Sequence, residues 1–166
     1  MPHVFVGLGS NIDAEQNLVR AVGRLGQTYG PLRISPVYRS PALGLTGDDF
    51  LNAVVGFQTA LAPASLWQAL RAEETALGRR RPDGSSWRPR TIDLDLLVYD
   101  DLCLDEPPLR LPSPDILAYA FVLHPLADLA GSWSHPERGQ RLERLRQELD
   151  LPPAATSLTT VTLEPT

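Results

Sequence analysis

Residues 3–9 alternate in character: Val4, Val6 and Leu8 fall on one side of an extended chain, and Phe5, Gly7 and Gly9 on the other. This period of two marks a β-strand, and the two glycines leave its second face open to a close approach by another backbone or a ligand. Asp13 then reads as a helix cap with Gln16 in the capping-box position. Leu18, Val22 and Leu25 form a helical stripe that Gly26 or Gly30 can end. Ile34 to Tyr38 reads as a strand interrupted by Pro36, hence an edge or bulged one. Phe50 to Thr59 reads as a stronger strand, with Leu51, Ala53, Val55 and Phe57 on one face and the polar Asn52 beside Val54 on the other. Ser40 to Asp49 is a loop between these strands. Pro63 suits the first turn of a second helix, with Leu66, Leu70 and Leu77 on its stripe and Gly78 as its cap; Glu74 falls on that apolar stripe.

Thr91 to Tyr99 gives the strongest strand signal in the chain, and Leu109 to Leu111 suggests another. Pro112-Ser113-Pro114-Asp115 can start a short helix reaching about Tyr119. Phe121 to Ala130 is an apolar segment that periodicity leaves open between helix and strand. Leu142, Leu145 and Leu149 mark a last amphipathic helix, and Leu158 to Leu163 either returns to the sheet or forms a tail. No repeat or interdomain linker interrupts the order, so residues 1–166 read as a single α+β domain with helices on the faces of a sheet. At 18.2 kDa such a chain buries roughly two-thirds of its unfolded surface, enough for a core without staples.

Cys103 is the only thiol and His3, His124 and His135 the only histidines, which excludes an intrachain disulfide and a zinc-type ligand cluster and suggests a reducing compartment. With no apolar run of about 18 residues and no basic leader, a cytoplasmic protein without membrane contact is expected. All 15 basic residues are Arg, so lysine-dependent phosphate or Schiff-base chemistry is excluded. The net charge is −5, yet residues 79–90 hold five Arg against Asp83 alone. One basic island on an acidic surface suits a small polyanion better than a long nucleic acid. Gly7-Leu8-Gly9 begins like a dinucleotide fingerprint, but Ile12 stands where the third glycine is needed.

Asp93 and Asp95, two apart on a strand, project from the same face with Cα atoms roughly 6 to 7 Å apart. Such a pair is costly in a core unless a cation compensates it, and Mg²⁺ prefers a few carboxylates with waters and substrate phosphates. The Arg loop immediately precedes the pair, so Arg79, Arg81, Arg88 and Arg90 can address phosphates held there. Carboxylates, a hard metal and Arg clamps together suit phosphoryl transfer.

These residues resemble the 6-hydroxymethyl-7,8-dihydropterin pyrophosphokinases of folate synthesis. The resemblance runs through Gly9-Ser10-Asn11, Tyr38-Arg39-Ser40-Pro41, Leu43-Gly44, Phe50-Leu51-Asn52-Ala53, Glu74 with Gly78-Arg79, Trp87 to Asp95, and Phe121-Val122-Leu123 with Pro125-Leu126. It implies a ferredoxin-like α/β sandwich with a mainly antiparallel sheet. It also implies two Mg²⁺ ions and transfer of the ATP pyrophosphoryl group to the pterin hydroxymethyl oxygen, releasing AMP; a monomer is expected, although the sequence does not fix the oligomeric state. By the same resemblance Asp93 and Asp95 bind metal, and Arg79 and Arg90 stabilise the transferring group. Glu74, Arg81, Trp87 and Leu96 contact ATP, with Arg88 and Arg110 as further ATP contacts that compensate for lost anchors, while Ser40, Pro41, Leu43, Asn52 and Phe121 contact the pterin.

The departures concern the nucleotide. Arg88 stands where the family usually has Gly, Ser86 precedes Trp87 in place of an Arg, Ser113 replaces a His and Tyr119 an Arg. Weakened ATP anchoring is the expected consequence. A non-catalytic pterin- or nucleotide-binding relative is the alternative, and an RNA-binding ferredoxin-like module is disfavoured because Asp-Leu-Asp occupies the relevant strand.

Overall fold

The computed structural model describes residues 1–41, 48–78, 92–149, 151 and 159–161. The chain runs through β1 (His3–Ser10), α1 (Ala14–Tyr29), β2 (Arg33–Ile34), β3 (Val37–Ser40), β4 (Phe50–Gln58), α2 (Pro63–Ala76) and β5 (Asp93–Tyr99). It continues through β6 (Leu104–Glu106), β7 (Leu109–Leu111), a 3₁₀ turn at Pro114–Leu117, α3 (Ala120–Ala130), β8 (Ser134–His135), β9 (Gln140–Arg141), α4 (Leu142–Glu148) and β10 (Thr159–Val161). The main sheet has the order β10-β3-β4-β1-β5, with β2 also on β4, and every pairing is antiparallel. Succession β1-α1-β3-β4-α2-β5 with spatial order β3-β4-β1-β5 is the ferredoxin-like arrangement of the α+β class.

Alternation along the central strands divides the core. Val4, Val6, Leu8, Leu51, Ala53, Val55, Phe57, Leu94 and Leu96 pack with Leu18 and Leu25 of α1 and Leu66 and Leu70 of α2. Val54, Leu97 and Val98 pack with Leu123, Leu126 and Ala127 of α3 and Leu142 and Leu145 of α4 on the opposite face. The apolar segment that periodicity left open is thus a helix, covering the second face. Among the described residues no helix is long and apolar enough to cross a membrane.

Several local expectations are revised. Asp13 has φ 42° and makes no side-chain cap, so no capping box forms. Instead the buried Asn17 reaches back with Nδ2 to the Ile12 carbonyl at 2.6 Å, and Ser10 Oγ donates to that carbonyl as well. Pro36 splits the expected strand in two, and Ser35 makes the break tolerable: its N–H donates to Val54 O, and its hydroxyl accepts the Val54 N–H at 2.8 Å. Ser113 caps the 3₁₀ turn by accepting the Asp115 N–H. The segment within 158–163 does return to the sheet, as β10 beside β3.

Candidate active site

The cross-strand register assembles one row of residues over four strands. Tyr38 of β3 faces Asn52 of β4, Asn52 faces Gly9 of β1, and Gly9 faces Asp93 of β5; in the next row Val54, Gly7 and Asp95 are aligned. Residues opposite one another in a sheet share a face, so Asn52 and the aspartate pair lie on the α3 side, separated by glycine. Two interstrand spacings put the Cα atoms of Asn52 and Asp93 about 10 Å apart. Any side chain at position 9 would occupy the gap, since a Cβ there would stand 3.4 Å from Asn52 Oδ1.

Asn52 is held from the β3 side. Its Nδ2 donates to the buried Ser40 Oγ at 2.8 Å, which leaves the carbonyl oxygen as the acceptor presented over Gly9. Pro41 follows directly after β3. Phe121 lies in the first turn of α3, its ring stacked on Tyr119 at 5.0 Å between centroids. Tyr119, read from sequence only as a lost Arg, therefore supports the aromatic wall.

On the other side of Gly9, the Asp95 side chain is 55% exposed. Asp115, which the sequence reading passed over, is brought close by the 3₁₀ turn. Burial and then the negative charge of Asp95 push its carboxyl above the ordinary range. Its only sequence signal was the Pro-Ser-Pro-Asp turn chemistry. Crowded carboxylate charge of this kind fits a hard divalent cation. Among the described residues no three His, Cys, Asp or Glu converge closely enough to hold a metal.

Three residues assigned to ATP from the sequence make other contacts in this structure. Glu74 is 2% exposed and its Oε1 accepts the Leu94 N–H at 2.8 Å. Leu96 packs in the core. Arg110 pairs with Asp105 across the β6–β7 hairpin at 3.1 Å. Leu43, Arg79, Arg81, Trp87, Arg88 and Arg90 lie outside the described residues.

Tyr38, at the end of the same row, donates its hydroxyl to Asp128 of α3, whose other oxygen accepts from Arg146 of α4 at 2.6 Å. Burial first, then the bond to Asp128 and its charge, push the phenol up to about 12 from 10.0. Below pH 10 this contact is fully present; between pH 10 and about 12 the unfolded chain ionises first, so stability falls as pH rises through that window. In Tyr38→Phe that part of the alkaline decline is expected to vanish, while about 1 kcal/mol is lost at neutral pH. Urea denaturation at pH 8 and in the alkaline window measures both.

The family model of 7,8-dihydro-6-hydroxymethylpterin-pyrophosphokinase (HPPK) matches residues 5–131. The 2-amino-4-hydroxy-6-hydroxymethyldihydropteridine pyrophosphokinase of Synechocystis sp. is 38% identical over 148 residues, covering 87% of this chain and 75% of the relative. The protein of the same name from Pseudomonas aeruginosa is 40% identical over 147 residues, covering 86% and 88%. Among solved structures, wild-type Plasmodium falciparum HPPK-DHPS with pteroate has a TM-score of 0.72 over 89% of this chain. At 12% identity that likeness is one of fold, and this chain spans 42% of that solved chain. With the family match extending over most of its length, this chain belongs to the 7,8-dihydro-6-hydroxymethylpterin-pyrophosphokinase family.

Proposed function

We propose that this chain transfers the pyrophosphoryl group of ATP to the hydroxymethyl oxygen of 6-hydroxymethyl-7,8-dihydropterin. The new bond joins that oxygen to the β-phosphorus. The bond from the β-phosphorus to the α,β-bridging oxygen breaks, its electron pair leaves with AMP, and the hydroxyl proton is released. What carries the reading is the row Asn52–Gly9–Asp93. It sets an amide suited to a heterocycle edge beside carboxylates suited to a triphosphate-bound cation, at a spacing that one small molecule can bridge.

In this scheme Ser40 orients the Asn52 amide so that its carbonyl accepts from the pterin's donor edge. Pro41 and Leu43 flank that edge, and Phe121 stacks on the ring with Tyr119 behind it. Asp93 and Asp95 hold Mg²⁺, and Asp115 adds negative charge nearby. Bound there, Mg²⁺ supplies neutralisation of the triphosphate and in-line alignment. Arg79 and Arg90 bind the transferring group, and Arg81, Trp87 and Arg88 cover the nucleotide. Glu74 acts through the β5 backbone, Leu96 through its main chain, and Arg110 offers its terminal guanidinium nitrogens while its Nε pairs with Asp105.

Incubation with ATP, Mg²⁺ and the hydroxymethyl dihydropterin, followed by assay for AMP, tests the proposal; no AMP at saturating substrates favours the non-catalytic binder. Ser113 and Tyr119 stand where the family anchors phosphates, so the ATP KM should be raised more than kcat is lowered. Ser113 lines a cavity of about 290 Å³. Ser113→His with Tyr119→Arg is therefore expected to lower the ATP KM. Losing the Tyr119 ring behind Phe121 should at the same time raise the pterin KM about threefold. Steady-state kinetics on the single and double variants separate the two effects.

A further inference from the structure

Among the described residues β5 closes one side of the main sheet, so the N–H and C=O of Leu94 that face away from β1 have no neighbouring strand there. Two side chains of α2 take that strand's place. Glu74 Oε1 accepts the Leu94 N–H, and Arg71 Nη2 donates to the Leu94 carbonyl. The same Nη2 lies 3.1 Å from Glu74 Oε1 and 3.4 Å from Asp95 Oδ1, while the guanidinium rests over the Trp67 ring at 5.4 Å. Arg71 Nε is buried with no acceptor among the described residues. An Arg that leaves one donor unsatisfied is oriented by its remaining contacts, here three oxygens that belong to Leu94, Glu74 and Asp95.

We propose that Arg71 is a positioning residue of the metal site: it is the resident counter-charge of Asp95, and that contact gives way when a divalent cation binds. The inference rests on the assignment of Asp95 as a metal ligand. The Leu94 and Glu74 contacts keep β5 and its two aspartates in place throughout, whereas the longer Asp95 contact, at an exposed carboxylate, is the one a cation can displace. Arg71 therefore opposes cation binding in the absence of nucleotide, while suppressing repulsion between Asp95 and its acidic neighbours Asp93 and Asp115.

Titration of the intact protein with MnCl₂ alone, by calorimetry, tests this. Arg71→Gln is expected to bind Mn²⁺ about two- to fivefold more tightly than the parent, the range of a partly exposed ion pair. Arg71→Lys, which keeps the charge, should bind like the parent. Saturating Mn²⁺ should also raise the melting temperature of Arg71→Gln by more than that of the parent. A purely structural Arg71 predicts the opposite sign, because a loosened β5 binds the ion more weakly. Unchanged or weaker Mn²⁺ binding by a folded Arg71→Gln overturns the inference while leaving the metal assignment in place. Undiminished binding by Asp95→Asn overturns the metal assignment and the inference with it.

Discussion

Asp95→Asn is expected to abolish Mg²⁺-dependent ATP binding while leaving the fold intact or slightly more stable. The Asp95 side chain is more than half exposed and its 3.4 Å contact is the longest that Arg71 makes, so its charge adds little to folding. Its negative charge instead burdens Asp115, whose carboxyl already lies above the ordinary range. Removing one of several crowded like charges relieves repulsion in the metal-free protein. The affinity loss should exceed the roughly 10- to 100-fold that outer-shell substitutions at metal sites cost. Asp93→Asn should weaken binding similarly, since it shares the face and flanks Leu94 from the other side. Calorimetric titration with Mg²⁺ and a non-hydrolysable ATP analogue, beside thermal melts, checks affinity and fold together. A variant that binds like the parent would show that the metal is held elsewhere.

Glu74→Ala should have the larger effect on stability, although Glu74 resembles an ATP contact by sequence. Its carboxylate is buried, accepts the Leu94 N–H at 2.8 Å and faces Arg71 at 3.1 Å. Truncation strands the amide donor and removes the partner of a mostly buried guanidinium, a loss of about 3 kcal/mol. In a chain of this size that corresponds to a fall in melting temperature of about 6 to 12 °C. Glu74→Gln keeps an acceptor for Leu94 and should cost clearly less. The pair of variants distinguishes a backbone role from a nucleotide contact. A direct ATP ligand would give a raised ATP KM in Glu74→Gln with an unchanged melt, whereas a β5 support gives a lowered melt in Glu74→Ala even without nucleotide.

Much of this site was legible one residue at a time. Alternation in β1 put Gly7 and Gly9 on a single face, spacing put Asp93 and Asp95 on a single face, and the α2 stripe put Glu74 on the buried side; all three hold. Side-chain direction within one element follows from the strand and helix periods, which are local properties of the backbone. Asn52 likewise stood out as a polar residue in an apolar strand. The Asp13 cap failed because residues 10–17 make their own closure, with Asn17 and Ser10 both reaching the Ile12 carbonyl. Two-residue strands such as β8 and β9 are too short to show any period.

By itself the sequence determined the order of elements, the α+β class and the residue types available for chemistry, because hydrophobic period and turn chemistry act over a few residues. Only the tertiary structure decided which faces meet. That Gly9 lies between Asn52 and Asp93 depends on β1 pairing with both β4 and β5, partners more than 40 residues away in the chain. The approach of Asp115 to Asp95, and the use of Arg71 and Glu74 in place of a missing edge strand, likewise join segments about 20 residues apart. Such contacts are selected by packing and by the need to satisfy buried backbone groups, and neither leaves a mark in the local pattern of the chain.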